Sequence, residues 1–579
     1  MSSKSAQASA SSSRKELRDN DIVKAALGAA RGSVINLTIF SFGLNLLVLT
    51  GPIYMLQVYD RVLSSRSIDT LLAVSLLAAV MYFAYGGLEF VRSALFSRIG
   101  TAAERKMGPR LIDAVMRANL AAGSRSNQAL QDMRTLRNFI SSPAPGVIFD
   151  VPWSPLFIIV MAMIHPILGV FCVASIVLLG GLALANQARS RGKLKDAGQA
   201  SAAADLTADA AFSSLESIEA MGMRGELERR WIERNEKSLD LNSGASESIA
   251  QYSSATKALR VGLQSAVLGV GAWLAVLGDI TPGMMIAGSI LLGRALAPIE
   301  QAIGQWRPAL MAYQSYNRLS ELLELAQVEK SKMSLPAATG ILRVEKVYAG
   351  PPTGQTHILK GVSFGLEPGD GLGVIGPSGG GKSTLAKVLL GLWPPLSGAV
   401  RLDGASLEDW SRDELGPQVG YLSQTVDLLP GTVADNISRF RPRAESEAIV
   451  EAARKAGAHD LILRLADGYD TNVGDGGRNL SAGQRQRVGL ARALFGNPVF
   501  VVLDEPNSNL DKEGEDALLK ALVALRKSKT TLVVIAHRPS ILGSCNKVMV
   551  LADGQVRGFG PRDEVLSGLA AASKEKQNG

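Results

Sequence analysis

The chain has 579 residues, room for about three or four ordinary domains, with 47% apolar residues, 20% charged residues and a formal net charge of +8. Two distant cysteines, Cys172 and Cys545, argue against a disulfide framework and against a CxxC metal site. A basic excess is compatible with nucleic acid, an anionic membrane surface or membrane topology. The distribution favours topology, because apolar residues crowd into the first 310 positions and charges are sparse there.

The N-terminal segment is rich in Ser, Ala and Lys over its first 15 residues and has no apolar core. It therefore does not have the pattern of a secretory signal. We predict that residues 1–33 form a disordered cytoplasmic tail.

Charge-free apolar runs predict six membrane spans within residues 34–325. The alternative for each run is a buried core helix. The longest run is predicted to fold as two spans joined by a tight turn at His165 and Pro166. The sixth run reaches span length only if its helix continues past Arg294. The runs lie between Arg31 and Asp60, at Thr70–Leu88, between Asp150 and Arg189, at Val261–Gly278 and from Ile280 to Gly293.

Lys and Arg concentrate in residues 1–33 and in two long hydrophilic segments, 92–145 and 189–258, whereas the 165–166 and 278–282 turns have none. Positive residues stay on the cytoplasmic side, so both termini and both long segments are predicted to be cytoplasmic. The two segments are rich in Ala, Leu, Glu and Arg and are predicted to be helical arms that continue the spans.

The composition changes after a predicted linker at 326–340. Short Val, Ile and Leu runs then alternate with helical stretches, which is typical of an α/β domain with a largely parallel sheet. We place this domain at 341–565 and a C-terminal tail at 566–579. The predicted fold class is therefore multidomain: an all-α six-span membrane domain followed by an α/β P-loop domain.

The strongest motif is GPSGGGKST, which follows the apolar strand Leu372–Ile375 and precedes a helical run. That context is the one a P-loop requires, with glycines that let backbone N–H groups close around phosphate. Lys382 is predicted to reach the β- and γ-phosphates of ATP, and Ser383 to bind Mg²⁺. The predicted nucleotide-binding residues here are Gly376, Ser378, Gly379, Gly380, Gly381, Lys382, Ser383 and Thr384.

The second motif, VFVVLDEP, places two carboxylates at the carboxyl end of a buried strand, where α/β sheets bind ligands. Asp504 is predicted to support Mg²⁺ through water. Glu505 is predicted to act as the general base for the attacking water. The alternative, a pair of surface carboxylates, is disfavoured by the P-loop upstream.

With these motifs in place, residues 341–565 resemble the ABC ATPase family. LSAGQ, Leu480 to Gln484, is similar to the family's signature motif, with Ala482 where Gly is commoner. The resemblance implies that Ser481, Gly483 and Gln484 of one subunit cap the ATP held by the P-loop of another, as a helix N-terminus can bind an anion. A second copy of the chain is therefore expected.

The resemblance also implies roles for residues that are uninformative alone. Gln424 matches the Q-loop glutamine, which contacts the metal, and His537 matches the switch histidine, so that Glu505, His537, Gln424 and Lys382 form the expected catalytic set. Asp511 matches the D-loop. Tyr348 is the candidate for stacking on adenine, although a core or surface role for this residue remains open. Asp475 stands where the exporter X-loop usually has Glu.

The fusion of six spans to one ATPase domain resembles type IV exporters, also called the type I exporter fold. That resemblance implies cytoplasmic turns near 103–111 and 211–220 that dock on the ATPase domain. DEPNSNLD, GLGVIGPSGGGKSTLAK and NLLVLTGPIYMLQVYDRVL resemble the protein-secreting subunits of bacterial type I secretion systems, in the branch that exports proteases and RTX-like proteins. No peptidase-like domain is expected, since about 33 residues precede the first span.

This finer resemblance implies an inner-membrane homodimer that works with a membrane-fusion adaptor, an outer-membrane channel, a secreted protein substrate and membrane lipids, and not with nucleic acid. Two alternatives remain: a lipid or drug exporter, and a regulatory membrane ATPase that transports nothing.

A separate hypothesis concerns Arg294, which lies about 18 Å into the sixth span at 1.5 Å per residue. An arginine at that depth is costly unless it faces water or an acidic partner, so we expect Arg294, with Glu300, to line the translocation path.

Overall fold

The computed structural model describes residues 22–122, 126–212, 214–327, 335–352, 354, 356–536 and 538–577. The described residues form two compact units. The first takes its residues from positions up to 116 and from 126 to 326, and the second from 117 to 122 and from 327 onwards.

The first unit is all helical, and six of its helical segments are long and apolar enough to cross a membrane. We call these spans 1 to 6: Ile35–Ser65, Ile68–Leu120, Gly146–Ile164, Pro166–Phe212, Arg224–Leu277 and Pro282–Gly304. The helices are α1 (Ile22–Leu47), α2 (Thr50–Gln57), a π-helical turn (Val58–Val62), α3 (Leu63–Ser65), α4 (Ile68–Ala122), α5 (Gln128–Ile140), α6 (Gly146–Asp150), a 3-10 turn (Val151–Trp153), α7 (Ser154–Ile164), α8 (Pro166–Phe212), α9 (Leu215–Ala220), α10 (Arg224–Leu277), α11 (Pro282–Gly304) and α12 (Trp306–Gln327).

Several predictions about the spans are confirmed. His165 is extended and ends α7, and Pro166 begins α8, where its missing N–H costs nothing. The sixth span continues past Arg294 to Gly304. The arms are continuous with the spans: α4 has 55 residues, about 80 Å of helix against a hydrocarbon core of about 30 Å.

Three boundaries differ from the predictions. The turn expected near 103–111 is wrong, because α4 stays helical to Ala122 despite Pro109. The turn expected near 211–220 consists of the short helix α9 and a turn at 221–223. The first helix begins at Ile22, inside the predicted 1–33 tail, of which residues 1–21 lie outside the described residues.

The apolar surface of the first unit faces outward as well as inward. Its core joins spans 3, 4, 5 and 6 through residues such as Phe157, Cys172, Val267 and Leu292. Large apolar side chains are also exposed, for example Phe83 at 86%. Such exposure is costly in water and favourable in lipid, so the helices are built for a bilayer.

A carboxylate joins spans 1 and 6 at the end where the short turns lie. Asp60, on the π-helical turn of span 1, accepts a hydrogen bond from the Gly283 backbone N–H at 2.8 Å and another from the Thr281 hydroxyl. Thr281 itself caps α11 by accepting from the Met284 N–H. Asp60 therefore satisfies a free N–H group at the start of span 6, where the helix dipole favours negative charge.

Replacing Gly283 by Ala is expected to break this connection. An added Cβ would lie 2.5–2.7 Å from the Asp60 carboxylate, so the carboxylate must leave the helix end. We expect a loss of about 1–2 kcal/mol, the usual cost of losing a cap, measured as a lower Tm of the detergent-solubilised protein. Gly262→Ala is the matched control, because its added Cβ meets nothing within 4 Å. An equal Tm for both variants would contradict the prediction.

The second unit is α/β, which confirms the predicted class. Six strands form one sheet in the order β10-β9-β3-β8-β7-β6, parallel except for β10, and four form an antiparallel sheet in the order β2-β1-β4-β5. Strands β7 and β8 are buried at every position, as expected of a parallel sheet covered on both faces. The strands are β1 (Leu342–Ala349), β2 (Leu359–Leu366), β3 (Gly371–Ile375), β4 (Ser397–Leu402), β5 (Ala405–Ser406), β6 (Val419–Leu422), β7 (Phe500–Asp504), β8 (Thr531–Ile535), β9 (Lys547–Ala552) and β10 (Gln555–Pro561).

The register of the large sheet aligns the strand ends that matter for the site. Val533 of β8 pairs with Leu372 of β3 on one side and with Val502 of β7 on the other. The segments that follow these strands therefore leave the same edge of the sheet.

The helices of the second unit are α13 (Lys382–Leu389), α14 (Arg412–Leu415), α15 (Val433–Ile437), α16 (Ser446–Lys455), α17 (His459–Leu463), α18 (Ala482–Leu494), α19 (Lys512–Lys527), α20 (Pro539–Leu542) and α21 (Arg562–Gln577), with 3-10 turns at Gly416–Gln418, Gly468–Asp470 and Asp475–Gly477. The predicted linker leads from α12 to coil at 335–341, with 328–334 outside the described residues, and the predicted tail at 566–579 is helical to Gln577.

Candidate nucleotide site

The loop between β3 and α13 surrounds the side chain of Lys382, which binds carbonyl oxygens of the same loop. Lys382, only 6% exposed, donates from Nζ to the carbonyl oxygens of Gly376 and Pro377, each at 2.9 Å. A cation buried against carbonyls and without a carboxylate partner among the described residues is ready to bind an anion. The lysine therefore stands inside the loop that surrounds it.

Glycine is required at this loop for two reasons. Gly379 and Gly381 have φ of +78° and +97°, in the region that side chains disfavour. Gly376 has no room for a side chain, because a Cβ there would lie 1.9 Å from the carbonyl oxygen of Leu551. Gly381 is the N-cap of α13, so the loop opens directly onto a helix N-terminus, where free N–H groups favour phosphate. Ser378 and Gly380 complete the loop, and Ser383 and Thr384 begin the helix.

The carboxylate at the end of β7 fits a divalent cation. Asp504 is 3% exposed, the Ser383 hydroxyl interacts with its carboxylate, and its Oδ1 is buried without a hydrogen-bond partner among the described residues. Burial raises the pKa of Asp504, and the adjacent charge of Glu505 adds to this, while the interaction with Ser383 opposes it. A carboxylate and a hydroxyl are oxygen ligands that Mg²⁺ prefers, and a bound cation would stabilise the ionised carboxylate.

Glu505 follows immediately in an unusual backbone conformation. Its φ is +50°, its N–H donates to the Ile535 carbonyl at 3.0 Å, and its own carbonyl accepts from Gln486 Nε2 at 3.2 Å. A positive φ on a residue other than glycine is sparsely populated and is often found at functional sites. The backbone hydrogen bonds keep Glu505 at the sheet edge beside Asp504.

Gln486 is a residue that the sequence predictions missed. It is 2% exposed on α18, two positions after the LSAGQ motif, and it joins Glu505 to the D-loop by also accepting from the Asn509 N–H at 3.0 Å. The sequence predictions also missed a second set of hydrogen bonds. The Asn507 side-chain amide donates to Glu515 at 2.9 Å, and Arg538 donates to Glu515 at 3.1 Å. Spacing in the sequence does not indicate these contacts, since they span 8 to 23 positions and depend on the turn after β7.

The signature segment forms a helix N-terminus of its own. The Ser481 hydroxyl accepts from the Gln484 N–H, and the Gln484 side chain accepts from the Ser481 N–H, so the two residues make a capping box at the start of α18. Gly483 lies close to the Asn509 carbonyl, where a Cβ would be 3.0 Å away. Among the described residues of this one chain, no hydrogen bond joins the segment to the P-loop.

The remaining predicted site residues are Tyr348, Gln424, Asp511 and His537. Tyr348 on β1 is 40% exposed, and its ring contacts the ring of His357 edge-on, with ring centroids 6.0 Å apart. Gln424 is exposed just after β6, beside β7. Asp511 caps α19 and pairs with Arg487 at 2.6 Å; the Gly514 N–H and Arg487 hold its pKa below the ordinary value. His537 lies outside the described residues.

Comparisons with known proteins agree with this architecture. Residues 34–296 match the ABC transporter transmembrane region and residues 359–508 match the ABC transporter family. The type I secretion system ATP-binding protein PrsD of Rhizobium meliloti is 44% identical over 557 residues, 96% of each chain. The chain belongs to the ABC transporter family.

Other relatives of this ABC transporter point the same way. The cyclolysin secretion/processing ATP-binding protein CyaB of Bordetella pertussis is 30% identical over 93% of this chain and 77% of its own length. The alpha-hemolysin translocation ATP-binding protein HlyB of Escherichia coli O157:H7 is 28% identical over 92% and 76%. A solved bacterial Atm1-family ABC exporter with ATP bound covers 95% of this chain and 100% of its own with a TM-score of 0.82, which at 22% identity shows the fold.

These findings establish the general nature of the molecule. It is a multi-pass membrane protein and an ABC exporter half-transporter that binds nucleotide and hydrolyses ATP to drive transport. The predicted resemblance to the type I secretion branch is confirmed by the similarity to PrsD, CyaB and HlyB.

Proposed function

We propose that this transporter exports an unfolded protein across the bacterial inner membrane as the ATPase subunit of a type I secretion system. The observation that carries this is the 44% identity to PrsD over 96% of both chains. DEPNSNLD, the motif that resembles the protein-secreting branch, includes Asn507, whose side-chain amide donates to Glu515, and Asn509, whose backbone N–H donates to Gln486.

In the proposed cycle, each residue acts at the sheet edge. Lys382 leaves its carbonyl partners to bind the β- and γ-phosphates, and Tyr348 stacks on adenine. Ser383, Asp504 and Gln424 hold Mg²⁺, which when bound offsets the negative charge of the phosphates. Glu505 accepts the proton of the attacking water, and His537 contacts the γ-phosphate. Electrostatic positioning supplies most of the rate in such reactions.

A second copy of the chain completes each site. Ser481, Gly483 and Gln484 at the exposed N-terminus of α18 cap the ATP held by the other copy, and Asp511 lies at the same junction. The dimer closes on ATP and reopens after hydrolysis, a two-state equilibrium that the nucleotide biases. The long helices α4, α8 and α10 carry this motion toward the spans.

The Lys and Arg distribution supports cytoplasmic termini and arms. A membrane-fusion adaptor and an outer-membrane channel are the partners proposed for the far side, with the secreted protein as substrate and membrane lipids around the spans.

Secreted proteins test this function directly. Cells that carry the wild-type chain are compared with cells that carry Glu505→Gln, which is expected to bind ATP and stall. We expect specific proteins to vanish from the medium and accumulate inside the mutant cells. Protein mass spectrometry of both fractions names the substrate in the same step. If the secreted set is unchanged while the variant is folded and present in the membrane, lipid or drug export replaces protein export.

A further inference from the structure

A polar cavity of about 270 Å³ lies within the membrane unit, between spans 1, 2, 3 and 6. A polar cavity among apolar spans is unfavourable unless it is hydrated or occupied, so it points to a site. Six of the polar side chains that line it are Asn45, Tyr85, Asp150, Arg294, Gln301 and Gln305.

The arginines of this unit differ in their partners. Arg92, also at the cavity, lies 2.9 Å from Asp150 and 2.8 Å from Glu89, so its guanidinium is engaged by two carboxylates. Glu300, which we expected to line the translocation path together with Arg294, pairs with Arg260 at 2.9 Å and makes no ion pair with Arg294. Arg294 is exposed and has no hydrogen bond or ion pair with any described residue. It is the guanidinium of this cavity that remains available to an anion.

Arg294 stands at one end of a polar track on span 6. Gln301 follows it by 7 positions, which at 3.6 residues per turn places the two within about 20° of one direction. Gln305 comes directly after Gly304, the last residue of the helix, and also lines the cavity, so the three side chains extend along about 16 Å. Neither glutamine side chain has a hydrogen-bond partner among the described residues. Each primary amide can donate and accept, as a peptide bond does.

Pro298 lies inside the helix on the same track. Proline has no N–H, so the Arg294 carbonyl four residues earlier loses its regular helical donor. Arg294 therefore offers both an uncommitted guanidinium and a carbonyl released from the i→i−4 pattern. The track matches the length of about five residues of extended polypeptide at ~3.3 Å each.

We propose that this face of span 6 binds an extended segment of the exported polypeptide, with the guanidinium of Arg294 binding an Asp or Glu carboxylate of that segment and Gln301 and Gln305 binding its backbone. This rests on the proposed protein export and adds a chemical preference: acidic segments bind here more tightly than neutral ones. Arg forms paired hydrogen bonds to a carboxylate, which Gln cannot replace.

The test is peptide binding to the full-length transporter in nanodiscs of zwitterionic lipid. The probes are a fluorescent 12-residue Gly/Ser peptide with four Asp residues and the same peptide with Asn at those positions. Arg294→Gln is expected to weaken the Asp peptide about tenfold, or about 1.4 kcal/mol, and to leave the Asn peptide unchanged. Arg294→Lys is expected to fall between. Arg61→Gln, which changes an exposed arginine outside the cavity, is the matched control and is expected to bind both peptides as the wild type does.

The double variant Gln301→Ala, Gln305→Ala is expected to weaken both peptides equally. Equal affinity of wild type and Arg294→Gln for the Asp peptide overturns the proposal, as does failure of the wild type to bind either peptide. A second set of nanodiscs contains added anionic phosphatidylglycerol. A loss of bound phosphatidylglycerol in Arg294→Gln there, without a change in peptide affinity in the zwitterionic nanodiscs, also overturns the proposal and assigns the site to lipid. If the proposed protein export is itself wrong, a different experiment shows it: the set of secreted proteins is unchanged in cells that carry Glu505→Gln.

Discussion

Glu505→Gln is expected to lower the ATP turnover of the purified transporter by about 100-fold or more while its affinity for ATP stays within about twofold. A positioned general base contributes about 10²–10⁴ in rate, and Gln cannot accept the proton. The substitution keeps the shape of the side chain. The contacts that hold residue 505, from Gln486 and to Ile535, involve its backbone and are unaffected.

Phosphate release and binding of a fluorescent ATP analogue measure the two quantities separately. Glu513→Gln is the matched control, because Glu513 is an exposed carboxylate in the first turn of α19, eight positions further on. The control is expected to keep wild-type turnover. Retention of more than about a tenth of the turnover in Glu505→Gln would place the base elsewhere.

Gly376→Ala is expected to abolish nucleotide binding and to destabilise the ATPase domain. The new Cβ would lie 1.9 Å from the Leu551 carbonyl oxygen, and both positions are backbone, so neither can move alone. The Gly376 carbonyl also accepts from Lys382, so displacement of the loop releases the lysine. Overpacking of this kind costs about 1–3 kcal/mol, and the loop cannot keep its phosphate-binding shape.

Isothermal titration with ATP and thermal unfolding check the two parts of this prediction. Gly416→Ala serves as the control in the same domain, since its Cβ meets nothing within 4 Å and its φ of −53° suits any residue. Normal ATP affinity in Gly376→Ala would show that the loop adapts to the side chain.

The features predicted correctly from the sequence are those that depend on contiguous residues. The length of the apolar runs and their lack of charge were enough to predict six spans and the turn at His165. Each span must by itself be apolar and long enough to cross the bilayer, so it can be recognised without knowledge of its neighbours. The P-loop was predictable since its glycines, its lysine and the strand before it lie within about a dozen positions. Residue roles at Gln424, Ser481, Asp511 and His537 came only from family resemblance and stay predictions.

The features that were missed depend on residues far apart in the chain. Helix α4 continues through 103–111, and just beyond this stretch Leu111 and Val115 pack against Met133 and Leu319. These contacts join distant parts of the chain, so no local sequence pattern reveals them. Gln486 reaches Glu505 only because α18 packs beside the turn after β7.

Charge partners were the least predictable from the sequence. Glu300 lies six positions from Arg294 yet pairs with Arg260 of span 5, and Asp60 caps a helix that begins 222 positions later. The sequence by itself determined the spans, the sheet-and-helix alternation and the phosphate loop, since these follow from local length, apolarity and backbone freedom. Only the tertiary structure decided which charges meet and which, like Arg294, remain available to a ligand, because ion pairs depend on how separate helices face each other.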